Sequence, residues 1–133
     1  EKYDIALLMN VLHHLGDDFG NTSISIEEAR QAMVEALNNM SYLAEYLVFQ
    51  IGYCWKGNPN YLLFEKGTKE QQIKFIQNAI PGYWEIIKIG IPEMEQGKPI
   101  YKTPSKKNLE RKDYLGEFLN RPLFLLKSQR RKR

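Results

Sequence analysis

The sequence is short of cysteine, of long apolar runs and of internal repeats, and each shortage excludes a class of protein. A single cysteine, Cys54, rules out a disulfide within the chain and points to a reducing compartment, the cytoplasm. No apolar stretch approaches the roughly 18 residues that would cross a bilayer, and no secretory-signal layout opens the chain, so no membrane association is expected. Histidine is as scarce: His13 and His14 are the whole supply, and no third ligand stands near them at turn or helical spacing, so no metal site is expected. The chain also lacks an initiator Met and enters a strand at once, which predicts a fragment or a processed chain.

What is present suits one globular domain. The 133 residues are 43% hydrophobic and 26% charged, enough to bury a core. Charge is unevenly placed. Residues 1–97 hold 7 Lys/Arg against 13 Asp/Glu, whereas 98–133 hold 12 against 3 and end in Arg130, Arg131, Lys132 and Arg133. The domain is therefore expected over residues 1–128, with 129–133 as a basic tail that solvates the terminus or attracts phosphates through its field.

Hydrophobic periodicity sets out the elements. "DIALLMN", Asp4 to Asn10, is a continuous apolar run, the pattern of a strand covered on both faces. A Gly/Asp/Asn/Ser loop follows, and Asp17 and Asp18 fall within it as turn residues. Ser25-Ile26-Glu27-Glu28 has capping-box spacing, and Ala29, Met33, Ala36, Leu37 and Met40 then recur at helical spacing to about Ser41. "YLVFQIGY" (Tyr46–Tyr53) predicts a second strand and "KGNPN" a turn. Thr68 to Gln71 repeats the capping box, and Ile73, Ile76, Ala79 and Ile80 line a helix that stops at Pro81-Gly82. "WEIIKIGI" (Trp84–Ile91) predicts a third strand. A long connection over 92–120 contains a helical turn or two in "NLERKDYLGEFL", and "RPLFLLKS" (Arg121–Ser128) predicts the last strand. Strands alternating with helices predict an α/β fold, a parallel sheet with helices on its faces. The last strand lacks a full crossover helix before it and is free to run antiparallel.

The stretch "YDIALLMNVLHHL" resembles the fourth-strand segment of class I S-adenosylmethionine-dependent methyltransferases, and "YLVFQIGY", "WEIIKIGI" and "NRPLFLLKS" resemble that fold's fifth, sixth and antiparallel seventh strands. The resemblance implies a partial Rossmann-like sheet, with three parallel strands and a C-terminal antiparallel one. It implies part of a transferase that moves a methyl group to oxygen or nitrogen of an acceptor. Asn10, Val11 and Leu12 would then lie beside S-adenosylmethionine, at the strand edge where open α/β sheets bind ligands. The family's Gly-rich turn and ribose-binding acid have no counterpart here, so these residues alone are expected to be inactive. The resemblance also puts the first strand in mid-sheet. Without an upstream half it becomes a bare edge, so self-association or a partner chain covering it is expected.

Three further groups of residues come into view at that edge. His14, and less so His13, could take a proton from an attacking hydroxyl or amine. Tyr53, Trp55 and Asn58 follow the second strand and could shape an acceptor pocket. Cys54 has no base beside it in sequence and does not read as a nucleophile. The basic 98–133 segment suggests a nucleic-acid methyltransferase as an alternative, and a non-catalytic interaction module derived from a half-domain is a second.

Overall fold

The computed structural model describes residues 2–15, 23–55 and 58–130, with backbone alone at 58–61. In chain order the elements are β1 (Tyr3–Met9), α1 (Ile26–Asn39), β2 (Ala44–Gln50), β3 (Cys54–Trp55), β4 (Asn58–Leu62), α2 (Lys69–Ala79), β5 (Trp84–Glu95), β6 (Lys98–Lys102) and β7 (Leu123–Ser128). Both capping boxes form. Ser25 Oγ accepts from the Glu28 N–H at 3.2 Å while the Glu28 carboxylate accepts from the Ser25 N–H, and Thr68 and Gln71 repeat the exchange at α2. Each satisfies two of the four N–H groups that a helix start leaves open.

Five strands make one mixed sheet in the order β1-β2-β7-β5-β6. β1 and β2 pair in parallel, and β2–β7, β7–β5 and β5–β6 pair antiparallel. The fold is thus mixed α/β with a mostly antiparallel sheet, where three parallel strands and one C-terminal antiparallel strand were expected. The pairings give β1, β2 and β5 one direction and set β7 against them.

The expectation of helices on both faces is also corrected. Ala29, Met33 and Leu37 of α1 and Ile73 and Ile76 of α2 share one core with Leu47, Phe49, Phe124 and Leu126. The two helices touch each other, since Asn38 Nδ2 donates to the Ala79 carbonyl at 2.9 Å. Trp84 Nε1 donates to the Leu37 carbonyl at 2.9 Å and ties β5 beneath α1. Chirality accounts for this: β1-α1-β2 and β2-α2-β5 both step the same way across the sheet. Two right-handed crossovers stepping the same way lie on the same face.

Other boundaries shift. β1 forms the sheet's outer edge, so its continuous apolar run is covered on one face only. Tyr3, Ile5 and Leu7 are 72%, 63% and 70% exposed. The second strand is shorter than expected, ending at Gln50, and Asn58 to Asn60 of the expected turn "KGNPN" belong to β4, which pairs with β3, while 56–57 lie outside the described residues. The third strand runs on past Ile91 to Glu95 and turns back as β6, a hairpin inside the expected long connection. The rest of that connection contains the short helical turns Asp113–Leu115 and Phe118–Asn120. The basic end is docked as far as it is described. The Gln129 N–H donates to the Tyr83 carbonyl, and the Arg130 guanidinium stacks on Tyr83 and Tyr42. Residues 131–133 lie outside the described residues. No described helix is long and apolar enough to cross a membrane.

Candidate functional site at the carboxyl edge of the sheet

β1 and β2 are parallel, so both deliver their carboxyl ends to one edge, and the chain before β7 arrives there too. Asn10 leaves β1 with φ 60°, in the left-handed region, where Asn is among the few tolerated side chains. Its N–H donates to the Gln50 carbonyl at 2.8 Å. Its side chain closes a ring: Arg121 donates to Asn10 Oδ1 at 2.9 Å, Asn10 Nδ2 to Gln50 Oε1 at 3.0 Å, and Gln50 Nε2 to the Arg121 carbonyl at 3.1 Å. Three separate segments are locked together by one amide–guanidinium circuit. Local strain held by a closed network is a feature common at functional sites.

Val11 is 43% exposed and continues the edge outward, whereas Leu12 turns into the core at 4%. The next turn carries the histidine pair, with ring centres 4.2 Å apart. His13 is buried, and its Nδ1 accepts the Gly52 N–H at 3.0 Å. Burial, helped by the Arg121 charge and then by His14, pushes its pKa down to about 3. A proton on Nδ1 would abolish the bond from Gly52, so the neutral Nε2–H tautomer is fixed. His13 is therefore too weak a base to accept a proton from an acceptor near neutral pH in this arrangement. His14 is half-buried and is the ring of the pair nearer solvent. Gly52 is required here by space: a Cβ would sit 2.9 Å from His13 Cδ2 and Nε2 and 3.0 Å from an Arg121 nitrogen.

Tyr53, Cys54 and Trp55 gather beside this turn, all three buried. Trp55 Nε1 donates to the Leu15 carbonyl at 3.1 Å. The Arg111 guanidinium lies 4.6 Å from the Tyr53 ring centre. Burial, with the Glu117 carboxylate nearby, pushes the Cys54 thiol up to about 11, so the thiolate is suppressed, in line with its not being a nucleophile. Tyr53 and Trp55 act as core at this edge rather than as walls of an open pocket. The Asn58 side chain, Asp17 and Asp18 lie outside the described residues.

Sequence reasoning passed over Arg121, Glu117 and Gln50. Arg121 is 4% exposed and also donates to Glu117 at 3.1 Å, while its Nε meets no acceptor among the described residues. Asn120 folds residues 112–120 on themselves, donating to the Lys112 and Gly116 carbonyls at 2.8 Å each. The edge is thus a buried cation, a carboxylate, two imidazoles and a thiol, closed over by residues 108–121. No group of three or more His, Cys, Asp or Glu side chains converges as a metal site among the described residues. No protein family matches the chain, and no curated protein or solved structure matches it at a significant level.

Proposed function

We infer that the chain is the C-terminal portion of a class I S-adenosylmethionine-dependent methyltransferase, transferring a methyl group to oxygen or nitrogen of an acceptor. The reading rests on one observation. Three strands share a direction, the chain-terminal strand runs against them, and the motif "NVLHH" leaves the first of them at the sheet's carboxyl edge. Methyl transfer needs chiefly an aligned acceptor in a dry site, and an edge roofed by 108–121 suits that demand.

The residues here do not by themselves hold the cofactor. Asn10 has its N–H and both side-chain polar atoms engaged by Gln50 and Arg121, and Leu12 faces the core. Val11 is the most exposed of the trio, and Asn10 keeps part of its surface open. On this reading the Gly-rich turn comes from an upstream half that covers β1. His14 would accept the acceptor's proton, with His13 acting as a positioning residue.

Calorimetry with S-adenosylmethionine on these 133 residues and on the complete gene product tests this. Binding by the complete product with none by the 133 residues is the expected result. Absence of binding by both overturns it and leaves the interaction module as the reading.

A further inference from the structure

Lys69, the first residue of α2, is 1% exposed, and its ammonium forms no ion pair among the described residues. Two backbone carbonyls receive it instead. Nζ donates to that of Asn108 at 2.9 Å and to that of Glu110 at 3.1 Å. An ammonium carries three donors, so one is left without an acceptor among the described residues. Burying a cation on neutral acceptors alone is costly. Burial, and then the nearby Lys112 charge, push the Lys69 pKa down.

Beside this side chain lies a cavity of about 180 Å³, lined by Lys69, Lys112 and Glu93 among others. The Lys112 backbone is fixed, its N–H donating to Asn120 Oδ1 and its carbonyl accepting from Asn120 Nδ2, both at 2.8 Å. Its ammonium, by contrast, has no ion pair among the described residues. Glu93 is engaged elsewhere, since Asn108 Nδ2 donates to its Oε2 at 3.0 Å. Two ammoniums against one carboxylate leave the cavity with one positive charge in excess.

We propose that this cavity binds a small monocarboxylate, its carboxylate held by Lys69 and Lys112 and its short chain by Pro92, Met94 and Leu115, which also line the space. The proposal stands independently of the methyltransferase reading. A carboxylate accepts the donor left over on Lys69 and cancels the surplus charge. A dianion such as phosphate would exceed that charge and crowd Glu93, and a metal ion would meet two ammoniums. The volume is that of about six waters, which suits a chain of about four carbons and is too small for a nucleotide. The occupant would join α2, β5 and residues 108–115, three segments that already border it.

Ligand-observed NMR with sodium butyrate on the 133-residue chain tests this, since the signal comes from the small molecule. Butyrate should show saturable transfer from the protein at neutral pH. Butyramide, the same shape without the charge, should bind at least about 10-fold more weakly. Phosphate should displace butyrate no better than chloride at matched ionic strength. Lys112→Gln should weaken butyrate about 10-fold while leaving the unfolding midpoint in place. Lys69→Met should abolish binding; if that variant fails to fold, Lys112→Gln decides alone. No saturable transfer, equal binding of butyramide, displacement by phosphate beyond that by chloride, or butyrate binding that Lys112→Gln leaves unchanged overturns the proposal. Lys69 would then serve only to tie α2 to residues 108–110.

Discussion

Leu47, Phe49, Phe124 and Leu126 are wholly withdrawn from water, whereas their strand neighbours Val48, Leu123 and Leu125, on the other face, keep part of their surface wet. The same strands and the same kinds of residue meet opposite fates. Hydrophobicity therefore does not distinguish the two faces; the route of the chain does. Both crossovers step one way, so both helices fall on one side and the other is left apolar and open. An apolar residue records the environment a strand can accept, and the topology decides whether it receives it.

The largest effect should come from cutting each face by the same amount. Phe124→Ala opens a cavity under both helices and should cost about 3–5 kcal/mol in denaturant unfolding. Leu125→Ala, next in sequence but on the open face, should cost well under half as much. Equal losses would mean that something covers the second face in solution, which size-exclusion and light scattering on the same samples would reveal.

Legibility in the sequence follows the same division between local and distant causes. The capping boxes at Ser25 and Thr68 were readable because all their atoms lie within four residues. The run "DIALLMN" was readable as a strand but misread as covered on both faces, since no local pattern reports a missing neighbour. The β5–β6 hairpin was hidden by Pro92 and Pro99, which lowered the strand signal. Its turn was nonetheless written in Gln96-Gly97, both at positive φ (50° and 75°), the backbone that two-residue hairpins need. Of the edge cluster, Asn10 and the histidines could be singled out. Arg121 could not, because its partner Asn10 lies 111 residues away and nothing beside Pro122 announces a buried cation.

A smaller and pH-dependent effect sharpens the contrast within the closed edge. His13 has a folded pKa of about 3, below its ordinary value of 6.5. Between those values the unfolded chain binds a proton that the folded one refuses. Its contribution is thus complete above about pH 6.5 and is lost as pH falls, at about 1.4 kcal/mol per pH unit. His13→Gln keeps an acceptor for the Gly52 N–H without the titration. Unfolding free energies measured from pH 7 to pH 4 should fall less steeply in the variant, by close to one proton. Parallel slopes would mean that His13 titrates normally and that the edge is not closed over it.

The smallest effect on stability, and the most direct break of the comparison, belongs to β1. Ile5 and Leu7 are 63% and 70% exposed on the open face of an edge strand whose outer N–H and C=O groups have no strand of the described residues beside them. Removing either from this surface withdraws little packing, so Leu7→Lys should change unfolding free energy by no more than about 0.5 kcal/mol. Its charge, however, lies where a pairing chain would have to bury it, and an edge lysine is how natural sheets refuse such pairing. Sedimentation of the unaltered chain should therefore show species larger than the monomer, dispersed by Leu7→Lys, while the matched Leu8→Lys, which points into the covered face, should unfold the protein instead. A monomeric parent with β1 amides protected from hydrogen exchange would place cover on that edge from within the chain itself, and the open face would then be a property of the fold rather than a vacancy for a partner.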